Sequence, residues 1–209
     1  GEGEKVQVKV CGLMGGHSGA EIDKNRANAN KLMGRFLYGL KKKAEYALIS
    51  LTGGQKDNAI TRECTAEFLT DSVAEVKAYA KELQEQLREE YTGSDENITF
   101  EITEKGTATA EVLHPTSQEK IVFYLQNVPF GIQKMSGTIK GLVETSSNIG
   151  ILRLDRDELF ASSSVRSSVD AACSALSDKI EYLTEFLGVT MKYRVHTRHG
   201  STEGISITR

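Results

Sequence analysis

The sequence predicts an α+β fold, antiparallel strands covered on one face by helices, and three observations carry that prediction. Val6, Val8 and Val10 alternate with polar neighbours, the period of a half-buried strand. Ala29, Leu32, Met33, Phe36, Leu37 and Leu40 recur every three or four residues, the period of an amphipathic helix. The elements then follow in the order strand, helix, strand, strand, helix, strand, which is the ferredoxin-like arrangement, and that order recurs in the second half with different residues.

Taken along the chain, Lys5–Cys11 is the first strand and Ile22–Lys43 the first helix, its closing lysines suited to the negative end of the helix dipole. "EYALISLTGG" and "TRECTAEFLTD" read as neighbouring strands around the loop 53–60, where Gly-Gly and Asp-Asn supply the turn chemistry. Ser72, with Glu75 three residues on, has the spacing of a capping box that starts a second helix, striped by Val76, Tyr79, Ala80, Leu83 and Leu87. "NITFEITEKG" closes the unit. In the second half "TATAEVLHP" reads as a strand and Ser117–Val128 as a helix; two long strands follow, broken at 155–157. A helix over Asp170–Leu187, stopped by Gly188, and the strand "VTMKYRVH" complete the repeat. The expected division is residues 1–106 and 107–195 as two ferredoxin-like halves, with 196–209 a disordered or foreign tail. The sequence leaves open whether strand edges join the two sheets.

Composition narrows the function. A net charge of −3 with both signs interspersed provides no basic stripe for a phosphate backbone, so nucleic acid is not an expected partner. No apolar run is long enough to span a bilayer, and the N-terminus lacks the order of a secretory signal, which together point to the cytoplasm. The chain opens mid-strand without an initiator methionine and reads as an excised piece. Cys11, Cys64 and Cys173 are far apart among apolar neighbours and are expected as buried thiols.

The segment "GLMGGHSGAEID" crowds glycines around one histidine, between a strand and a helix. His17 there is uncrowded, with Ser18 and the following helix start providing donors, and its imidazole could donate a hydrogen bond to a developing oxyanion. A lone loop histidine is more often an ordinary surface residue. The segment lacks the Gly-Lys-Ser/Thr of a phosphate loop and the spacing of a dinucleotide fingerprint. Asn58 is either a turn former or an amide that orients a substrate carbonyl. Arg166, among serines at a strand end, presents a fork that fits a carboxylate, a surface ion pair being the commoner fate of an arginine. His114, His196 and His199 assemble no zinc-binding set with the acidic residues, no GxSxG elbow is present, and no metal is expected in the chain.

"GLMGGHSGAEID", "NANKLMGRFL", "GGQKDNAITRE", "ETSSNIG" and "SSVRSS" together resemble the lid domain of the zinc-dependent aminoacyl-histidine dipeptidases, bacterial carnosinase-like enzymes, over Lys5 to about Arg194. The resemblance implies a catalytic domain that holds two zinc ions and into which the lid is inserted. It implies that His17 binds the scissile carbonyl, that Asn58 contacts the dipeptide and that Arg166 pairs with its C-terminal carboxylate. It implies as partners the catalytic domain, a dipeptide substrate and a second copy of the chain. The family's zinc motifs flank the lid, and neither flank is recognisable here, so the chain alone is expected to be inactive. A stand-alone regulatory module that binds a small ligand such as an amino acid is the alternative, by analogy of fold.

Overall fold

The structure, a computed structural model, describes residues 1–155, 158–188, 190–192 and 201–208, the last two ranges as backbone. Strand β1 (Glu2–Cys11) turns Val6, Val8 and Val10 inward, each fully buried. It pairs antiparallel on one side with β5 (Cys64–Thr70) and on the other with β6 (Thr99–Thr109). Beyond β5 lies β3 (Ala47–Gly53), so the first half shows the strand order β3-β5-β1-β6. Helices α1 (Ala29–Leu40) and α2 (Val73–Glu90) pack on it through Phe36, Leu37, Leu40, Val76, Leu83 and Leu87.

The first helix differs from the single run 22–43 read from the sequence. Ile22–Lys24 forms one 3₁₀ turn, Asn25 takes a left-handed φ of 54°, and α1 begins only after Asn28, whose side chain accepts from the N–H groups of Asn30 and Lys31. An asparagine oxygen that satisfies orphan N–H groups at a helix start wins over the continuous apolar period. At α2, Ser72 precedes the helix as expected, but its side chain makes no capping bond; its N–H donates to Thr70 Oγ1 at 3.1 Å.

The second half comprises α3 (Pro115–Asn127), β7 (Gly131–Met135), β8 (Val143–Asp155), β9 (Glu158–Ser167), α4 (Asp170–Phe186), β10 (Thr190–Lys192) and β11 (Ser201–Thr208). Residues 156 and 157 of the expected break lie outside the described residues, as do 189 and 193–196 of the last expected strand and 196–200 and 209 of the expected tail. "TATAEVLHP" is not a strand of its own: Thr107–Thr109 extend β6 past Gly106, opposite Glu2–Glu4 of β1, and the following residues lead into α3 without strand structure. A partner strand was available for β6 to continue along, and a ladder extends while its backbone groups find partners. β7, not read from the sequence, pairs with the start of β8. The backbone of Ser201–Thr208 runs beside β9 as β11.

The two halves share one sheet. β8 pairs with β3 over Leu51–Gly53 and Leu152–Leu154, and the order runs β10-β11-β9-β8-β3-β5-β1-β6, antiparallel throughout. One core cluster takes side chains from strands of both halves and from all four helices, including Leu125 of α3 and Ile180 of α4. This α+β architecture brings the end of β9 over the loop that follows β1.

Candidate functional site

His17 lies on a two-residue strand, β2 (Gly16–His17), paired with β4 (Ala59–Ile60), so that His17 faces Ala59 and the N–H of Ser18 donates to the carbonyl of Asn58 at 2.9 Å. The ribbon places His17 and Asn58, both exposed, side by side. Three residues tie the loop down. Asp95, buried, accepts from Met14 N–H through Oδ1 and from Ala27 N–H through Oδ2, both at 2.7 Å, and so closes the segment at its two ends. Glu21 accepts the N–H of His17 at 2.8 Å, and Arg26 Nη1 bonds both Glu21 Oε1 and the carbonyl of Gly15. Gly16 takes a φ of 136°, and a Cβ there would overlap Arg26 Nη1 and stand 2.7 Å from Glu21 Oε2, which accounts for glycine at this point.

The imidazole has a defined orientation. The N–H groups of Gly19 and Ala20 each donate to His17 Nδ1 at 3.0 Å. A nitrogen that accepts two hydrogen bonds is unprotonated, so in the neutral ring the proton is on Nε2 and the exposed edge of His17 is a donor.

Arg166, on β9 far along the chain, comes near the same ring. A Cβ added to Gly19 would lie 3.1 Å from His17 Cε1 and 3.2 Å from Cζ and Nε of Arg166, so the two heads converge on one glycine. Gly19 leaves the space between them open. Arg166 Nε is buried and bonds no described residue, and among the described residues no carboxylate pairs with this guanidinium. Among the described residues the surface ion pair weighed from the sequence is not formed, and a buried, unanswered donor suits an incoming acceptor.

Asn58 is held through its neighbours. Asn148 of β8 donates to the carbonyls of Asp57 and Ala59 at 3.2 and 2.9 Å, and its Oδ1 accepts from Asn28. Asn28 also donates to the carbonyl of Ile149, and Thr61 Oγ1 to that of Gly150 at 2.8 Å. This buried network joins α1, the 54–61 loop and β8, and it fixes the Asn58 loop relative to the strand that faces Arg166. Sequence reasoning passed over Glu21, Arg26, Asp95, Asn28 and Asn148. The available signal was asparagine in the middle of apolar runs, "NANKLMG" and "SSNIG", where a buried amide requires partners.

A cleft of about 670 Å³ opens beside the ribbon, lined among others by Gly16, Gly54, Lys56, Ala59, Arg62 and Gly150; His17, Asn58 and Arg166 stand outside it. The described residues do not fit a metal: no group of three or more histidine, cysteine, aspartate or glutamate side chains among them could hold one. The three cysteines are free and buried. Burial pushes the Cys11 thiol up to about 11, aided by Glu101, and pushes Cys64 up as well, the opposite of a thiolate ligand.

The ribbon thus carries a histidine with its Nδ1 engaged and an exposed amide, and the end of β9 brings a guanidinium beside them. Residues 8–95 match the peptidase dimerisation domain family. The chain is 30% identical over 187 residues to the cytosol non-specific dipeptidase of Escherichia coli (strain K12), covering 88% of this chain and 38% of that protein. The crystal structure of the aminoacylhistidine dipeptidase from Vibrio alginolyticus superposes with a TM-score of 0.85 at 29% identity, again over 88% of this chain and 38% of that one. The resemblance carried by the five motifs is borne out, and the chain has the fold of the dimerisation domain of such dipeptidases. It spans 38% of the length of both relatives. The dimerisation domain match ends at Asp95, the carboxylate that closes the His17 loop, while Arg166 and Asn148 come from the half beyond it. Among the described residues no helix is long and apolar enough to cross a membrane.

Proposed function

We propose that this chain is the substrate-clamping lid of a dinuclear zinc dipeptidase of the aminoacyl-histidine type, acting with a catalytic domain encoded outside it. The observation that carries the reading is the convergence of His17 and Arg166 on Gly19, with Nδ1 of His17 already engaged. In this reading His17 Nε2–H donates to the scissile carbonyl oxygen as negative charge develops on it. Arg166 takes the terminal carboxylate of the dipeptide through its fork, and the Asn58 amide orients the backbone between them. The zinc ions belong to the catalytic domain, where they would polarise the same carbonyl; this chain's own part is to bind, orient and donate. A cytoplasmic location and self-association through this domain belong to the same proposal, supported by the name of the Escherichia coli relative and by the family description.

The test uses the full-length protein. His17→Ala is expected to lower kcat by about 10²-fold or more with little change in KM, the usual loss for one oxyanion donor. Arg166→Ala is expected to raise KM for free dipeptides far more than for C-terminally amidated ones. An unchanged kcat in the first variant, or equal effects on both substrates in the second, rejects the assigned role. Tight binding of free amino acids by this chain without the catalytic domain would favour a regulatory module instead.

A further inference from the structure

We propose that Glu21, braced by Arg26, is the positioning residue that holds the His17 turn in the one shape from which the imidazole presents Nε2–H. The inference rests on the functional reading only for its consequence; its geometry stands without it. Glu21 closes the turn from both sides. Its backbone N–H donates to the carbonyl of His17 at 3.0 Å, and its Oε2 accepts the N–H of His17 at 2.8 Å. The two donors that define the ring's tautomer, Gly19 N–H and Ala20 N–H, lie inside this closed turn. They stay aimed at Nδ1 only while it remains closed. Both donors are backbone N–H groups, and among the described residues no other hydrogen bond to the ring selects which nitrogen carries the proton.

Arg26 explains why the carboxylate does not swing out to solvent, as an exposed glutamate otherwise would. Its Nη1 donates to Glu21 Oε1 at 2.8 Å and to the carbonyl of Gly15 at 2.6 Å, pinning the carboxylate to the strand that leads into His17. The Arg26 side chain is 17% exposed against 37% for Glu21, so the brace is the more buried partner. The His17 N–H, and after it the Arg26 guanidinium, hold the Glu21 carboxyl below its ordinary range, as expected of a carboxylate committed to donors. An exposed ion pair of this kind contributes little to stability. Its effect is on orientation.

The experiment reads the tautomer directly. The chain is labelled with ¹⁵N-histidine, His17 is assigned by comparison with His17→Gln, and long-range proton–nitrogen spectra are recorded for the parent, Glu21→Ala, Arg26→Ala and Glu21→Gln. The parent is expected to show a single Nε2–H form, Glu21→Ala a mixture of the two tautomers, Arg26→Ala a smaller shift in the same direction, and Glu21→Gln, which keeps an acceptor for the His17 N–H, the parent form. Unchanged core amide signals confirm in each case that the fold is intact. A Glu21→Ala spectrum identical to the parent overturns the proposal, as does a mixture in the parent itself. In the full-length protein Glu21→Ala is further expected to lower kcat by roughly 10-fold to 10²-fold at unchanged KM, the scale of a misplaced donor. A mixed tautomer with unchanged kcat leaves the Glu21 assignment standing and rejects the catalytic reading of His17, so the two failures are distinguishable.

Discussion

The two halves of the sheet are filled differently, for the second buries polar side chains beside its apolar ones, Ile149, Leu152, Leu154, Leu159, Ala161 and Val165. In the first, β1 and β5 bury Val6, Val8, Val10, Ala66 and Phe68; in the second, β8 and β9 bury Thr145, Ser146, Ser147, Asn148 and Ser162–Ser164, all at 4% exposure or less. A valine so buried stabilises by about 1.5–3 kcal/mol, whereas a hydroxyl buried without a partner costs about 1–3 kcal/mol. Ser147, Ser162, Ser163 and Ser164 each place such a hydroxyl, bonded to no described residue, along the β8–β9 ladder, whose register shifts between Ile149 and Ile151. The first half is thus the better-supported body. The second shares the apolar core but also carries these unanswered hydroxyls, and it brings in Asn148 and Arg166. The lesson is that the site's two ends rest on unequal supports.

Three substitutions break or sharpen that contrast. Phe36→Ala, which empties a fully buried ring site stacked on Tyr79 and tilted against Phe100, is expected to cost about 3–5 kcal/mol in denaturant unfolding and to unfold both halves together. A second half that kept its hydrogen-exchange protection in this variant would contradict its dependence on the first. Asn148→Ala acts on the joint, leaving the carbonyls of Asp57 and Ala59 and the Asn28 amide short of a partner, for a loss of about 1–3 kcal/mol. Exchange of the 54–61 amides should rise more than exchange in β1, and an equal rise would mean that the network does not fix the Asn58 loop. Ser147→Ala removes an unanswered hydroxyl from a fully buried position and is expected to change stability by less than about 0.5 kcal/mol, or to raise it. A loss of about 2 kcal/mol would reveal a partner for that hydroxyl and weaken the contrast between the halves.

The buried serines also show where sequence reading ran short. A run such as "ASSSVRSS" offers no apolar period, yet its place in β9 was legible from the turn signals around it, and Arg166 stood out because small neighbours flank it. Asn28 and Asn148 did not stand out, since an asparagine that caps a helix or ties two strands has the same local sequence as one in a loop. Glu21 was visible only as the fourth residue after His17, and the reciprocal bonds that give it meaning exist only once the turn is closed.

By itself the sequence determined the α+β class and the buried faces of β1, α1 and α2, and it singled out His17, Asn58 and Arg166 as candidates, because side-chain periods and turn chemistry are local properties. Tertiary structure alone decided that β6 runs on past Gly106, that β7 exists, that β3 meets β8 in one sheet, and that Arg166 arrives beside His17. The reason is that strand edges join through backbone N–H and C=O groups, which every residue but proline offers alike. Which edge meets which is therefore settled by what the whole core can pack.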